Sequence, residues 1–321
     1  MNKKLPDIAY IDIFKKAFDI TWKNKTLWWF GLFLALGGGM GNINYVFDEK
    51  NKNSSEQVTQ FISNHLGLVV TGAIIPTVVF LTFVVLSIIA RGGIIGSIEK
   101  VLKNRPFEFR TGMREGKKYF WKIFFLGVIL CLLVMASLVI LATPVAFLFL
   151  AKSYILGVML AIFAVIIFIP IVVLATYIKT FGEIYIVSGK LSSWSAIETS
   201  YDLFRKNLAT SLIMGLLFIP VGIIVIMGML IVIAPLALLG FFFAFLGKIG
   251  IAVAVILGII ILFAILLVQS VFQVFHQTAW LLFFHEIATP VVEEKIEEMV
   301  PETEKEILPT VDPVKTVEIE K

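Results

Sequence analysis

Three sets of side chains in this chain of 321 residues have types and spacings that could do chemistry. The first is basic. Arg110, Arg114, Lys118 and Lys122 recur at every fourth position, with Lys117 adjacent. On a helix that spacing places four cations on one face. At a membrane surface such a face attracts anionic lipid phosphates at about 1 kcal/mol per residue. The same residues would also act purely as a topology signal, and both readings stay open. The second set is polar and uncharged. Gln269, Gln273 and Gln277 repeat at i, i+4 and i+8, with Ser270 and His276 beside them. Amides in hydrocarbon need partners. The stripe therefore reads as glue between helices, as a helix emerging into the cytoplasm, or as the lining of a polar cavity. The third set is the histidine pair His276 and His285. Nine residues of helix separate them by ~13 Å along the axis, whereas a metal held on one helix wants i,i+3 or i,i+4 spacing. No metal and no cofactor is expected.

Catalytic signatures are missing. There is no phosphate-binding Walker loop, no HExxH, no GxSxG and no pair of carboxylates with a partner base. No catalytic residue is assigned, and the chain is read as non-enzymatic. Its single cysteine, Cys131, lies in an apolar run and reads as a small hydrophobe. Glu183 lies just past an apolar run and is expected at the membrane interface. The absence of Asp, Glu, Lys or Arg near mid-bilayer argues against proton or ion coupling.

The elements that must position these residues are membrane spans. Hydrophobic residues make up 59% of the chain and charged residues only 16%, against about a quarter charged in soluble domains. Lipid must serve as solvent for much of the surface. Six runs meet the requirement of about 20 apolar residues: 27–46, 66–90, 119–150, 154–178, 208–243 and 249–284. The fold class is all-α, a polytopic transmembrane helical bundle of about six spans. The first run is glycine-rich at its far end. Pro76, Pro144, Pro170, Pro220 and Pro235 fall inside runs and predict kinks. The long runs near Pro144 and Pro235 also admit a re-entrant turn.

Charge sets the orientation. The segments before the first span and after the second and fourth spans carry six, nine and four Lys or Arg. The intervening segments carry two, one and one. Nineteen against four predicts that the N-terminus is cytoplasmic, and an even number of spans returns the C-terminus to the same side. The first 26 residues are too charged for a cleavable signal, so the first span is expected to act as an uncleaved anchor. The predicted organisation is a cytoplasmic amphipathic segment at 1–26, a six-span membrane domain at 27–285 and an acidic, disordered or transiently helical cytoplasmic tail at 286–321, in a cell-membrane protein.

A repeat organises the spans. Residues 17–24, AFDITWKN, match residues 200–207, SYDLFRKN, at Asp19/Asp202, Lys23/Lys206 and Asn24/Asn207. Residues 116–122, GKKYFWK, form a weaker third copy. Each precedes an odd-numbered span, which predicts three related helical hairpins introduced by interfacial helices. In the first copy Ile11, Phe14, Phe18 and Trp22 form the apolar face. Asp12–Lys16 and Asp19–Lys23 are the expected ion pairs, with Trp22, Trp28 and Trp29 at headgroup depth. This layout, with the segment "aromatic–Asp–x–x–Arg/Lys–Asn" before a span and the connection GGIIGSIEKVLKNRPFEFRTGMREGKKYFWK, resembles the bacterial and archaeal multipass proteins related to the membrane domain of glycerophosphodiester phosphodiesterases. The resemblance covers about residues 8–288. It implies a membrane module without the hydrolase domain, for which this chain has no counterpart.

The expected function is membrane-organising, lipid-binding or scaffolding. Its partners are membrane lipids, anionic ones included, and not nucleic acid. The alternative is a transporter or channel for a hydrophobic or lipidic substrate. A cavity at bilayer depth lined by Gln273 or His276 would favour the alternative.

Overall fold

The computed structural model describes residues 8–39 and 66–299, with side chains over 8–37 and 74–288. Residues 40–46 of the first predicted span, the loop holding His65, and residues 300–321 of the predicted tail lie outside the described residues. The described chain is all-helical. Its helices are α1 (Tyr10–Lys23), α2 (Leu27–Gly39), α3 (Leu66–Leu102), α4 (Phe109–Leu150), α5 (Tyr154–Ser188), α6 (Ser193–Lys206), α7 (Leu208–Ala244) and α8 (Gly247–Met299). Five of them, α3, α4, α5, α7 and α8, are long and apolar enough to cross a membrane. The described part of the first predicted span, α2, is a 13-residue apolar helix.

Prolines do not break these helices. Helix α4 runs unbroken through Pro144, and α7 through Pro220 and Pro235. The re-entrant alternative is thereby excluded. Helix α8 likewise continues past residue 285 to Met299, so the predicted tail boundary does not coincide with a helix end. The basic segment expected as a separate third interfacial helix is continuous with the span that follows it, in one helix of 42 residues.

The helices pair as α2/α3, α4/α5 and α7/α8, and the second member of each pair reaches the centre of one end of the molecule. There α3, α5 and α8 touch one another. Around them α1 packs on α8, the start of α4 packs on α3, and α6 packs on α5. The core lies at this packed end: Ile89–Ile98 of α3, Tyr119–Leu130 of α4, residues 175–187 of α5 and residues 274–288 of α8 supply most of the buried side chains. The other end is open. Beyond Leu130 no residue of α4 is buried, and beyond Met214 none of α7 is. Before Ala175 only Gly157 is buried on α5, and before Ser270 only Gly250 on α8. Those two glycines press against Phe149 and the Phe243 carbonyl within their own hairpins.

Lipid explains this distribution. Acyl chains are as apolar as leucine, so burying leucine against leucine gains little inside a membrane. Helices associate instead where small residues let backbones approach. Gly92, Gly93 and Gly96 of α3 cross Gly112 and Gly116 of α4, and Gly31 of α2 lies against the Ser270 backbone of α8. Side-chain hydrogen bonds reinforce the contacts. The Ser270 hydroxyl donates to the Trp28 carbonyl, and the Tyr177 hydroxyl donates to the Ser211 carbonyl at 3.0 Å.

The two short amphipathic helices match residue for residue. Helix α1 buries Ile13, Ala17, Ile20 and Thr21, and α6 buries Ala196, Ser200, Leu203 and Phe204, the same register. Each ends on an asparagine whose amide donates four residues back, Asn24 to Ile20 at 2.8 Å and Asn207 to Leu203 at 3.2 Å. Helix α1 is apolar on two sides. Ile11, Phe18 and Trp22 of the predicted apolar face are exposed, while the neighbouring stripe meets the bundle. Phe14 lies between, stacked on Phe275. The Tyr10 hydroxyl reaches the Thr210 carbonyl at 3.4 Å, and burial pushes its pKa up. Asp19 pairs with Lys23 at 2.8 Å as expected, but Asp12 turns to Lys15 at 3.9 Å, not to Lys16.

The glycine crossing makes a direct prediction. A Cβ at Gly116 would overlap the Ile89 carbonyl oxygen, whereas one at Gly127 meets nothing within 4 Å. Gly116→Ala is expected to cost about 1–3 kcal/mol through overpacking. Gly127→Ala is expected to be neutral or to stabilise by up to about 1 kcal/mol through helix propensity. Thermal unfolding in detergent measures both.

Candidate functional site

Four groups of polar side chains at the packed end are candidates for a functional role. The first is the predicted basic face. Arg110, Arg114, Lys117 and Lys118 are exposed on the first turns of α4. Arg110, Arg114 and Lys117 border a shallow cleft of about 580 Å³ with Glu108, Phe109, Thr111 and Met113. Lys118 lies over the Tyr119 ring, 5.5 Å from its centroid. Lys122 departs from the stripe. Its ammonium donates to the carbonyls of Lys190 and Leu191 at 3.3 and 3.0 Å, closing the turn between α5 and α6. Ser193 donates back to the Lys122 carbonyl at 2.8 Å. Those carbonyls follow the end of α5 and lack helical partners, which is what draws the cation inward.

The second group is the predicted polar patch on α8, and the structure divides it. His276 lines a groove of about 600 Å³ between α5, α7 and α8, beside Tyr177, Thr176, Gly215, Phe218 and Trp280. Gln269, Gln273 and Gln277 do not line it. Gln277 is buried in the bundle, and Gln269 and Gln273 are half-buried. The Trp280 indole donates to His276 Nε2 at 3.0 Å, so the neutral ring carries its proton on Nδ1. The groove is predominantly apolar, because Thr176 and Thr180 spend their hydroxyls on their own helix.

The third group joins the three central helices. Glu99 of α3 accepts from Ser188 of α5 at 2.7 Å and pairs with His285 of α8 at 3.1 Å. Its second oxygen meets Lys103 at 3.2 Å. One carboxylate of α3 thus holds a residue from each of α5 and α8, together with Lys103 just past the end of its own helix. His276 and His285 serve different partners. Among the described residues no group of three His, Cys, Asp or Glu could hold a metal ion.

The fourth group was not singled out by spacing. Glu183 of α5, expected at the interface, is 2% exposed. Arg91 of α3 reaches both of its oxygens through a single nitrogen, at 3.4 and 3.5 Å. Lys179 stands one turn before Glu183, close enough to feel its charge. The three border a cleft of about 240 Å³ with Ile88, Ile123, Phe124, Gly127, Val128 and Cys131. The one signal in the sequence was the Lys179–Glu183 spacing of four at the end of an apolar run. Arg91 is indistinguishable there from a topology-setting cation.

Comparison of the chain with protein-family models, with curated proteins and with solved structures finds no match in any of the three. Function must therefore be read from these groups.

Removing one partner from a buried ion pair leaves a charge without compensation, at a cost of about 3–5 kcal/mol when both are buried. The Arg91 side chain is 28% exposed, so Glu183→Ala is expected to cost less, about 2 kcal/mol. The double variant Arg91→Ala/Glu183→Ala should recover part of the loss. Thermal unfolding of the three proteins measures this, and equal losses for single and double variants would contradict the pairing.

Proposed function

We propose that this protein is a non-enzymatic, lipid-binding membrane module that grips the cytoplasmic leaflet of the cell membrane with its packed end. One observation carries the reading: shaped polar surface and tertiary packing gather at one end, the end bearing the exposed Arg110, Arg114, Lys117 and Lys118. The far halves of the hairpins offer lipid an almost wholly apolar surface, with the hydroxyls of Thr82, Ser137 and Thr143 bonded back to their own helices. Exposed Ile11, Phe18, Trp22 and Trp29 beside the charged side of α1 supply the amphipathic geometry of an interfacial helix. The nineteen-to-four bias of Lys and Arg supports a cytoplasmic location for this end and for both termini.

The identical burial register of α1 and α6 supports an origin in three repeated hairpins. In that scheme each introducing segment packs on the second helix of another hairpin: α1 on α8, the start of α4 on α3, and α6 on α5. The resemblance to the membrane domain of glycerophosphodiester phosphodiesterases accords with a module of this kind.

Two measurements test the reading. In a Cys131→Ser background, Lys152→Cys is expected to react with an impermeant maleimide from outside intact cells. Arg110→Cys is expected to react only after permeabilisation, and the reverse pattern would overturn the orientation. In mixed-lipid nanodiscs the protein is expected to enrich phosphatidylglycerol over phosphatidylcholine. Arg110→Gln/Arg114→Gln/Lys117→Gln/Lys118→Gln should weaken that enrichment by up to about fivefold per charge. Enrichment unchanged by the four substitutions would remove the basic face from the function.

The groove between α5 and α7 favours a second reading, transport of a lipidic substrate, because His276 borders a predominantly apolar groove of about 600 Å³. Purified protein in vesicles would then move a labelled phospholipid between leaflets faster than empty vesicles do, and His276→Leu would slow it. Vesicles with and without protein behaving alike would dispose of this second reading.

A further inference from the structure

We infer that the cleft bounded by Arg91, Lys179 and Glu183 is a binding site for the phosphate headgroup of a single anionic phospholipid. The inference rests on the lipid-binding reading above but on a different, interior surface. Three observations carry it.

The first is charge. Two cations and one carboxylate leave an excess of one positive charge against walls made by Ile88, Ile123, Phe124 and Val128. In low dielectric an uncompensated charge is costly, and a monoanion entering the cleft would neutralise it. The second is unspent donors. Arg91 gives Glu183 one nitrogen shared between both oxygens, where a guanidinium fork can offer two parallel hydrogen bonds. The rest of its fork is not engaged by Glu183, and the Lys179 ammonium makes no hydrogen bond among the described residues. Phosphate oxygens match such donors, and the apolar wall running along α4 from Phe124 through Val128 to Cys131 matches an acyl chain.

The third is comparison within the molecule. The groove at His276 is built in the same way, from the second helix of one hairpin and both helices of the next. There the i,i+4 pair on the second helix is His276 and Trp280, joined to each other by a hydrogen bond. Here it is Lys179 and Glu183. The architecture therefore closes such a seam without buried charge, and Arg91 with Lys179 is not demanded by packing alone.

Native mass spectrometry of the full chain, released from nanodiscs of mixed phosphatidylglycerol and phosphatidylcholine, tests the site. Wild type is expected to retain one phosphatidylglycerol most tightly. Lys179→Gln should weaken that retention about fivefold. Gly127→Leu fills the cleft from a position where a Cβ meets nothing, and should abolish retention without lowering the unfolding temperature. Gly228→Leu, also facing open space, is the control expected to leave it intact. Millimolar inorganic phosphate should not displace the lipid; displacement would mean that the cleft takes a free anion, and the headgroup assignment falls. Retention unchanged by both Lys179→Gln and Gly127→Leu overturns the site. If the fourfold substitution of the basic face reduces enrichment while the cleft variants do not, the interior site fails and the surface reading stands. If wild type shows no preference for phosphatidylglycerol, both fail.

Discussion

The packed end depends on the satisfaction of one carboxylate. Glu99 lies where α3, α5 and α8 converge, and its two oxygens meet Ser188, His285 and Lys103. A carboxylate withdrawn from water must find donors, and here α5 and α8 each supply one. Hydrophobic burial cannot do the same work, because lipid tails solvate leucine as well as other leucines do. Polar ties and glycine crossings specify how the hairpins sit together. The Arg91–Glu183 pair, the Tyr177–Ser211 and Ser270–Trp28 hydrogen bonds and the α3–α4 glycines all lie at the same end as Glu99.

The open end follows from the same physics. Lacking polar ties and small-residue crossings between hairpins, α4/α5 and α7/α8 remain two-helix units there, surrounded by lipid. Each keeps its backbone hydrogen bonds within its helices, so nothing requires further association. Polar atoms and the clefts described above coincide at the other end.

Much of the fold was legible in the sequence because the hydropathic runs are long and the charges between them alternate. The five long helices and the amphipathic α1 and α6 fall where the runs and the AFDITWKN and SYDLFRKN segments place them. The ambiguity at the prolines resolves in favour of continuous spans. Pro144 and Pro235 were compatible with re-entrant turns, yet both sit inside unbroken helices. The functional surface was harder to read. Arg110, Arg114, Lys117 and Lys118 face outward as their spacing implies, but Lys122 has the same spacing and turns to the carbonyls of Lys190 and Leu191. The glutamine stripe admitted a cavity lining beside the reading as glue between helices; its neighbours His276 and Ser270 each border a cavity, and the glutamines border neither of the two. Arg91 and Glu183 are 92 residues apart, and only the three-dimensional path of α3 and α5 brings them together. Periodicity reports which face of a helix a residue occupies, not which neighbour meets that face.

Helix α4 joins the two ends in one unbroken rod. Its 42 residues extend about 63 Å, roughly twice the hydrocarbon thickness of a bilayer. The glycine crossing at Gly116 lies near one end of that rod, about 9 Å from Arg110 and about 51 Å from Leu150. The crossing divides the helix into a short charged arm and a long apolar one, and Tyr119, Ile123, Leu126 and Leu130 of the long arm are held in the same core. A rod of that length fits a bilayer only by tilting or by carrying its charged arm beyond the hydrocarbon layer.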